Sequence, residues 1–82
     1  QFQLALTQVH GIGRRLELLL WHLADRWGRV TPRGVVVPLD LTHEMLGRLI
    51  GARRPSVTTA LRTLAEEGRV ERSRDGWVLT RR

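Results

Sequence analysis

The chain contains no cysteine, no tyrosine and no lysine. Without cysteine, disulfides, thiolate zinc sites and iron–sulfur clusters are excluded from these 82 residues. The longest apolar run, Leu18–Trp21, is far too short to cross a membrane, and no signal-peptide pattern opens the sequence. The three histidines, at positions 10, 22 and 43, lack the spacing of metal ligands. No local sequence pattern indicates a Ser-His-Asp set or a catalytic pair of carboxylates either. The sequence therefore predicts neither a metal site nor an enzyme.

Acidic residues are also scarce relative to basic ones. The chain has fourteen arginines and eight acidic residues, which gives a formal net charge of +6. A strongly basic small domain indicates a polyanionic partner, although many small domains are basic for no specific reason. Arginine suits phosphates and guanine edges better than lysine does, but a GC-rich genome also produces all-arginine usage. The length allows one small domain with a modest core.

The stretch from Thr42 to Leu64 predicts two short helices joined by a turn at Gly51. The first helix has Leu46, Leu49 and Ile50 on one face. The second begins near Arg54 and Pro55, and its apolar residues recur at helical spacing: Val57, Ala60, Leu61, Leu64 and Ala65. Gly47 would let the helices cross closely, and Gly51 suits a turn with positive φ. Two helices joined by a short glycine-containing turn form a helix-turn-helix unit.

The outward face of the second helix, at about residues 54–66, carries hydrogen-bond donors on short or forked side chains. These are Arg54, Ser56, Thr58, Thr59 and Arg62, and such a face suits the major groove of DNA. Adjacent threonines are mediocre helix formers, so two of them on an exposed face favour contact with thymine methyls or base edges. Simpler alternatives remain: a solvated helix start at Arg54, and an ion pair between Arg62 and Glu66.

The flanking sequence completes a winged helix-turn-helix. A helix is predicted over residues 14–27 with a stop at Gly28, and the sequence before Gly11 and Gly13 reads as an upstream helix tail or a frayed terminus. Pro-x-Gly in 29–39 and Asp75-Gly76 in 69–80 predict hairpins. We expect Thr42 as an N-cap and Gly68 as a helix stop. The fold class is mainly α with small β-hairpins, a three-helix core plus a C-terminal wing.

These residues together resemble a known family. Residues 41–64 read Leu-Thr-x-x-x-Leu-Gly-x-Leu-Ile-Gly-x-x-Arg-x-x-Val-x-x-x-Leu-x-x-Leu. This pattern is similar to the C-terminal domain of the Crp/Fnr family of bacterial transcription regulators. The upstream run RRLELLLWHLADRWG resembles that family's first DNA-domain helix, and EEGRVERSRDGWVLT resembles its wing. The resemblance covers about residues 11–80.

The resemblance implies sequence-specific binding of double-stranded DNA in the cytoplasm. Base-reading positions would be Arg54, Thr58 and Thr59; phosphate-binding positions would be Thr42, His43, Arg53, Ser56, Arg62 and Arg74. For Arg72 and Arg74 in the wing, a solvated strand edge is an equal alternative. Pro55 stands where prominent members have Glu, and Thr59 where they have a second base-reading Arg. We therefore do not expect the family's best-known operator sequence to be the binding site of this protein.

The resemblance also implies parts beyond this chain. The family has an N-terminal sensory β-barrel, often binding a cyclic nucleotide, and a long helix that joins two subunits. Because the chain begins at Gln1 rather than Met, we expect a fragment of a longer protein. Residues 1–10 would then be the tail of the dimerisation helix or a linker, and 11–82 the DNA-binding domain. We expect no cofactor in this segment, a mostly monomeric fragment, a full-length homodimer and contact with RNA polymerase.

Two other classes of function compete with this hypothesis. A winged helix that binds protein instead of DNA would show an apolar exposed face on its second motif helix, where this sequence has threonine, serine and arginine. A nucleic-acid-binding domain without sequence choice would spread its basic residues and would lack a cluster of arginine and threonine at that helix start. Competition between a selected site and random DNA separates these hypotheses.

Overall fold

The computed structural model describes the backbone of residues 2–80 and the side chains of residues 11–80. Over this range the chain forms α1 (Phe2–Trp27), β1 (Arg29–Thr31), β2 (Gly34–Val37), α2 (His43–Ile50), α3 (Arg54–Glu66), β3 (Val70–Ser73) and β4 (Gly76–Leu79). This order confirms the predicted three helices with two hairpins. The side-chain pattern of residues 1–10, from which an upstream tail was predicted, lies outside the described side chains.

Helix α1 is longer than the sequence predicted. It begins at Phe2 and passes through Gly11 and Gly13, so the prediction that these glycines end an upstream segment is wrong. A glycine inside a helix costs about 1 kcal/mol relative to alanine, but Ile12 between the two packs against the core. Trp27 follows Leu16, Leu20 and Leu23 at helical spacing, which predicts it on the buried face of this helix. It is instead half-exposed, and the Arg26 guanidinium lies 5.2 Å from its ring centre.

The ends of α2 and α3 follow the predicted signals. The Thr42 hydroxyl accepts a hydrogen bond from the Met45 amide at 3.1 Å, and Gly51 ends α2 in the left-handed region at φ 74°. Helix α3 ends at Glu66 and is stopped by Gly68, which has φ 72°. The Gly68 amide donates to the Ala65 carbonyl at 3.0 Å and the Arg69 amide to the Leu64 carbonyl at 2.9 Å, which is a Schellman motif.

The buried face of α2 differs from the predicted one. Leu46 and Gly47 are buried and Ile50 is half-buried, but Leu49 is 59% exposed. A Cβ at Gly47 would lie 2.5 Å from the Ala52 carbonyl oxygen. The chain after the turn can therefore pack against this side of α2 only because residue 47 has no side chain. The buried face therefore turns toward Gly47 and leaves Leu49 outside it. Ala65, predicted on the apolar face of α3, is also exposed.

The two hairpins join into one antiparallel sheet of order β1-β2-β4-β3. The central ladder pairs Val36 with Val78, a contact that neither hairpin sequence predicts alone. The turn of the second hairpin is Arg74-Asp75, one residue earlier than predicted, because Gly76 pairs with Ser73 as the first residue of β4. Gly76 has φ 135° and lies against the Val37 carbonyl, where a side chain would clash with β2.

The core lies between the helices and one face of the sheet. Its buried members are Leu16 and Leu20 of α1, Leu46 of α2, three residues of α3, and Val37, Val70, Trp77 and Leu79 of the sheet. Among the described residues, no buried side-chain nitrogen or oxygen lacks a hydrogen-bond partner. This core fixes α3 with one face inward and the opposite face available to a ligand.

Candidate nucleic-acid interface

The exposed face of α3 is opposite to its buried face. Val57, Leu61 and Leu64 are buried in the core. At about 100° per residue, Thr59 points away from them, and Thr59 is exposed together with Pro55 and Arg62 one turn before and after it. The exposed start of the helix adds Arg53, Arg54 and Ser56. The structure therefore brings five of the nine sequence-predicted site residues onto the exposed ridge of α3 and its start.

Four of the predicted arginines keep their guanidinium groups unpaired. Arg53, Arg54, Arg62 and Arg74 are exposed, and none forms an ion pair with any residue whose side chain is described. The ordinary alternative for Arg62, an ion pair with Glu66, is not formed. Unpaired guanidiniums are suited to bidentate hydrogen bonds with phosphate oxygens or guanine.

Thr58 occupies a different position from its predicted companions. It lies half-buried on the flank of α3 next to α2, and its Oγ1 is 2.8 Å from Nδ1 of His43. The hydroxyl is thus engaged within the protein. This contact joins the first residue of α2 to the second turn of α3, so the two predicted site residues hold each other in place.

The His43 ring is in surroundings that favour its neutral form. Burial lowers its pKa from 6.5, and the positive charges of Arg54 and Arg72 lower it further. Its ring centre lies 6.1 Å from that of Trp77. When Nδ1 of the neutral imidazole accepts from the Thr58 hydroxyl, the ring carries its proton on Nε2 and can donate it to a phosphate.

The wing is attached to the start of α2 by a cluster that sequence reasoning did not identify. The Arg72 guanidinium lies 4.8 Å from the Trp77 ring centre and donates to Asp40 Oδ1 at 2.9 Å. Arg72 Nη1 and Trp77 Nε1 each donate to the Leu41 carbonyl at 3.2 Å. Asp40 and Arg72 are far apart in the sequence, so no local pattern signals their pairing. Arg74 lies at the exposed tip of the same wing.

On its other flank, α3 faces α1 across an open groove of about 510 Å³. Ser56 and Thr59 of α3 line it, as do Arg14 and Glu17 of α1. Arg15, next to the groove residues, donates instead to the Ile50 carbonyl at 3.0 Å and so connects α1 to the end of α2. No helix within the described residues is long and apolar enough to cross a membrane.

Comparison with known proteins agrees with this architecture. Residues 14–82 match the Crp-like helix-turn-helix domain, whereas no curated protein has a matching sequence. The crystal structure of reduced CprK in the absence of any ligand is similar, with a TM-score of 0.72 and 18% identity over 83% of this chain and 33% of that one. A Cys-to-Ser variant of CprK gives 0.70 and 19% over 95% of this chain and 41% of that one.

CprK is a Crp/Fnr-family regulator, and the present chain spans well under half of its length. At such low identity the two structures support the winged fold, whereas the family match covers most of this sequence. The chain therefore belongs to the Crp-like helix-turn-helix family of DNA-binding regulator domains.

Proposed function

We propose that this chain binds double-stranded DNA sequence-specifically, with α3 inserted in the major groove. The observation that carries the proposal is the ridge of Pro55, Thr59 and Arg62 opposite the buried face of α3, with the unpaired Arg53 and Arg54 at its start. A helix with side chains is about 10–12 Å across, which matches the roughly 12 Å width of the major groove of B-DNA.

The base-reading residues in this proposal are Arg54, Thr58 and Thr59. Arg54 is the first residue of α3, where a long forked side chain can reach along the groove to O6 and N7 of a guanine. Thr59 lies on the ridge itself. Because the Thr58 hydroxyl is engaged by His43, Thr58 contributes through its methyl group, which suits a thymine methyl.

The phosphate contacts come from the residues around the ridge: Thr42, His43, Arg53, Ser56, Arg62 and Arg74. Helix starts and arginines are the usual sources of such contacts, which fix the register of the protein on the duplex. A protein-interaction module would instead need an apolar exposed face on α3, and the exposed residues there are mainly arginine, serine and threonine.

For the full-length protein we propose a homodimer that binds two half-sites about 34 Å apart, one turn of DNA. Residues 1–10 would be the tail of its dimerisation helix or a linker. An effector such as a cyclic nucleotide would bind an N-terminal domain, and RNA polymerase would be a further partner. These proposals rest on the family resemblance.

The experiment that tests the proposed function is selection of binding sites from a random duplex pool, followed by competition. The selected site should retain the protein in the presence of a large excess of random DNA. Random DNA that competes equally would indicate binding without sequence choice. Absence of DNA binding at low salt would instead favour the protein-interaction alternative.

A further inference from the structure

We propose that Arg14 of α1 binds a DNA phosphate next to Ser56, so that the interface includes α1 as well as the helix-turn-helix and the wing. The inference rests on the proposed insertion of α3 in the major groove. It adds a contact on a helix whose sequence pattern indicated only core packing.

The reason to expect such a contact is the geometry of the DNA major groove. A helix that fills the major groove has one sugar-phosphate strand along each of its flanks. On the α2 flank of α3, Thr42 and His43 start a helix whose amides and side chains can bind one strand. On the α1 flank, Ser56 is the only predicted phosphate contact that lines the protein groove between α3 and α1, and it carries no charge.

Arg14 lies across that groove from Ser56. The two residues line the same open groove as Thr59, and Arg14 is exposed. It forms no ion pair with any residue whose side chain is described. A phosphate strand passing along this flank would therefore meet the Ser56 hydroxyl on one side and the Arg14 guanidinium on the other.

The acidic residues of the groove are already paired. Arg69 Nη1 lies 3.2 Å from both carboxylate oxygens of Glu17, and Arg69 Nε lies 3.6 Å from Glu67. Neither carboxylate is committed to Arg14. Because the charges of these four groove residues sum to zero, the contact depends on direct hydrogen bonds from Arg14 and not on a generally positive surface.

The test uses the 82-residue chain, with a duplex carrying the selected site and a scrambled duplex. Arg14→Ala should weaken both duplexes to a similar extent, because a phosphate contact carries no sequence information. The fall in affinity between 50 and 200 mM salt should become about 3.5-fold smaller, which corresponds to one phosphate contact with a slope of roughly 0.9. Arg14→Lys should keep most of the binding.

Arg26→Ala is the matched control. It removes the same charge from the same helix, about 18 Å away along its axis, where Arg26 lies over the Trp27 ring. The control should leave the salt dependence unchanged. Equal changes for Arg14→Ala and Arg26→Ala would overturn the proposal, because net charge and not a contact would then explain the loss.

A scan with uncharged methylphosphonate groups locates the contact. Each phosphate of the selected site is replaced in turn, and affinity is measured for the wild type, Arg14→Ala and Ser56→Ala. Replacement of one phosphate at the α1 flank should lower the affinity of the wild type and have little effect on the affinity of Arg14→Ala. The affinity of Ser56→Ala should respond less than that of the wild type to replacement at the same position or the next. An unchanged scan for Arg14→Ala would overturn the contact while leaving the wild type's site selection, and thus the proposed function, intact.

Discussion

At the scale of single residues, the side chains of the interface differ in what holds them. Arg53, Arg54 and Arg62 are unpaired with respect to the described side chains, whereas His43 and Thr58 are bonded to each other. An unpaired guanidinium costs the folded protein little to redirect toward DNA. A bonded pair is already placed before DNA arrives, and replacing one member disturbs the other.

Arg53 and Arg54 allow positioning to be separated from base recognition. We expect Arg54→Ala to lower discrimination at one guanine position by about 1–3 kcal/mol, with little effect on a scrambled site. Arg53→Ala should weaken both sites nearly equally and reduce the salt slope by about one phosphate contact. Titration of both variants against both duplexes measures this. Equal losses on the two duplexes for Arg54→Ala would assign it to phosphate and leave base recognition to Thr58 and Thr59.

The lowered pKa of His43 predicts a loss of stability in acid. Burial and the charges of Arg54 and Arg72 disfavour the protonated ring in the folded protein, so the unfolded chain binds a proton more readily. The contribution of neutral His43 to the stability of the fold is therefore fully present above its pKa in the unfolded chain, near 6.5. This contribution declines as the pH falls through its lower pKa in the folded protein. Urea unfolding of wild type and His43→Gln at pH 7.5 and pH 5 checks the sign. The wild type should lose more stability in acid than the variant; an equal loss would contradict the prediction.

At the scale of elements, glycines decide how closely the segments approach. The turn between α2 and α3 uses two of them for different reasons. Gly47 lies against the Ala52 carbonyl, whereas Gly51 has open space around it but a φ of 74°. The first glycine is needed for space and the second for backbone conformation. Both requirements concern the angle at which α3 leaves α2, and thus the direction of the exposed ridge.

Gly47→Ala tests the steric requirement. Its Cβ would lie 2.5 Å from a backbone oxygen, which no rotamer change relieves. Overpacking of this kind costs about 1–3 kcal/mol, against a gain of about 1 kcal/mol in helix propensity, so we expect a net destabilisation together with weaker DNA binding. Gly51→Ala should lose about 1–2 kcal/mol from the left-handed conformation alone. Chemical denaturation measures both, and a stabilised Gly47→Ala variant would refute the steric argument.

At the scale of the whole molecule, the net charge of +6 is not uniformly available. Arg33, Arg48, Arg69 and Arg72 form ion pairs with acidic residues. The arginines at the start of α3, on its ridge and at the tip of the wing are free of such pairs among the described side chains. Arg15, Arg26 and Arg29 also form no ion pair with a described side chain. Much of the uncompensated positive charge nevertheless lies around the proposed DNA-binding face, at Arg14, Arg53, Arg54, Arg62 and Arg74.

This distribution predicts a steep salt dependence. For about four to six phosphate contacts, affinity should fall on the order of a hundredfold or more between 50 and 200 mM salt, because each contact releases counterions from the duplex. Fluorescence anisotropy with a labelled duplex measures the slope. The ion pair of Arg33, in the turn between β1 and β2, with Glu71 of β3 at 3.7 Å supplies a control, since Arg33→Ala should not alter the slope. A flat dependence for the wild type would refute DNA binding through phosphates.

We also expect the 82-residue chain to be mostly monomeric and to bind a half-site weakly. Among the described side chains, the three most exposed large apolar ones, Leu18, Val30 and Leu49, lie on three different elements, and small groups of exposed apolar residues are normal on a monomer surface. Sedimentation velocity checks the prediction. A tight dimer would contradict it and would point to residues 1–13 or the Trp21 side of α1 as an interface.

The sequence by itself determined the elements whose causes are local. The cap at Thr42, the stops at Gly51 and Gly68 and the apolar spacing of α3 depend on residues a few positions apart, and the family pattern in 41–64 made the fold recognisable. The candidate arginines of α3 were also identifiable, since an exposed position follows from the same spacing. Several local predictions failed: the end at Gly11 and Gly13, the burial of Trp27, Leu49 and Ala65, and the turn of the second hairpin. At the two glycines and at Leu49, packing overrode propensity and periodicity.

Only the tertiary structure decided which distant segments meet. The pairing of β2 with β4, the bond between His43 and Thr58, and the attachment of Arg72 to Asp40 and Leu41 join residues 15 or more positions apart. The groove that Arg14 of α1 and Ser56 of α3 both line arises in the same way. A local pattern fixes the backbone of its own segment, but contacts between segments depend on how the apolar faces of α1, α3 and the sheet fill one shared core.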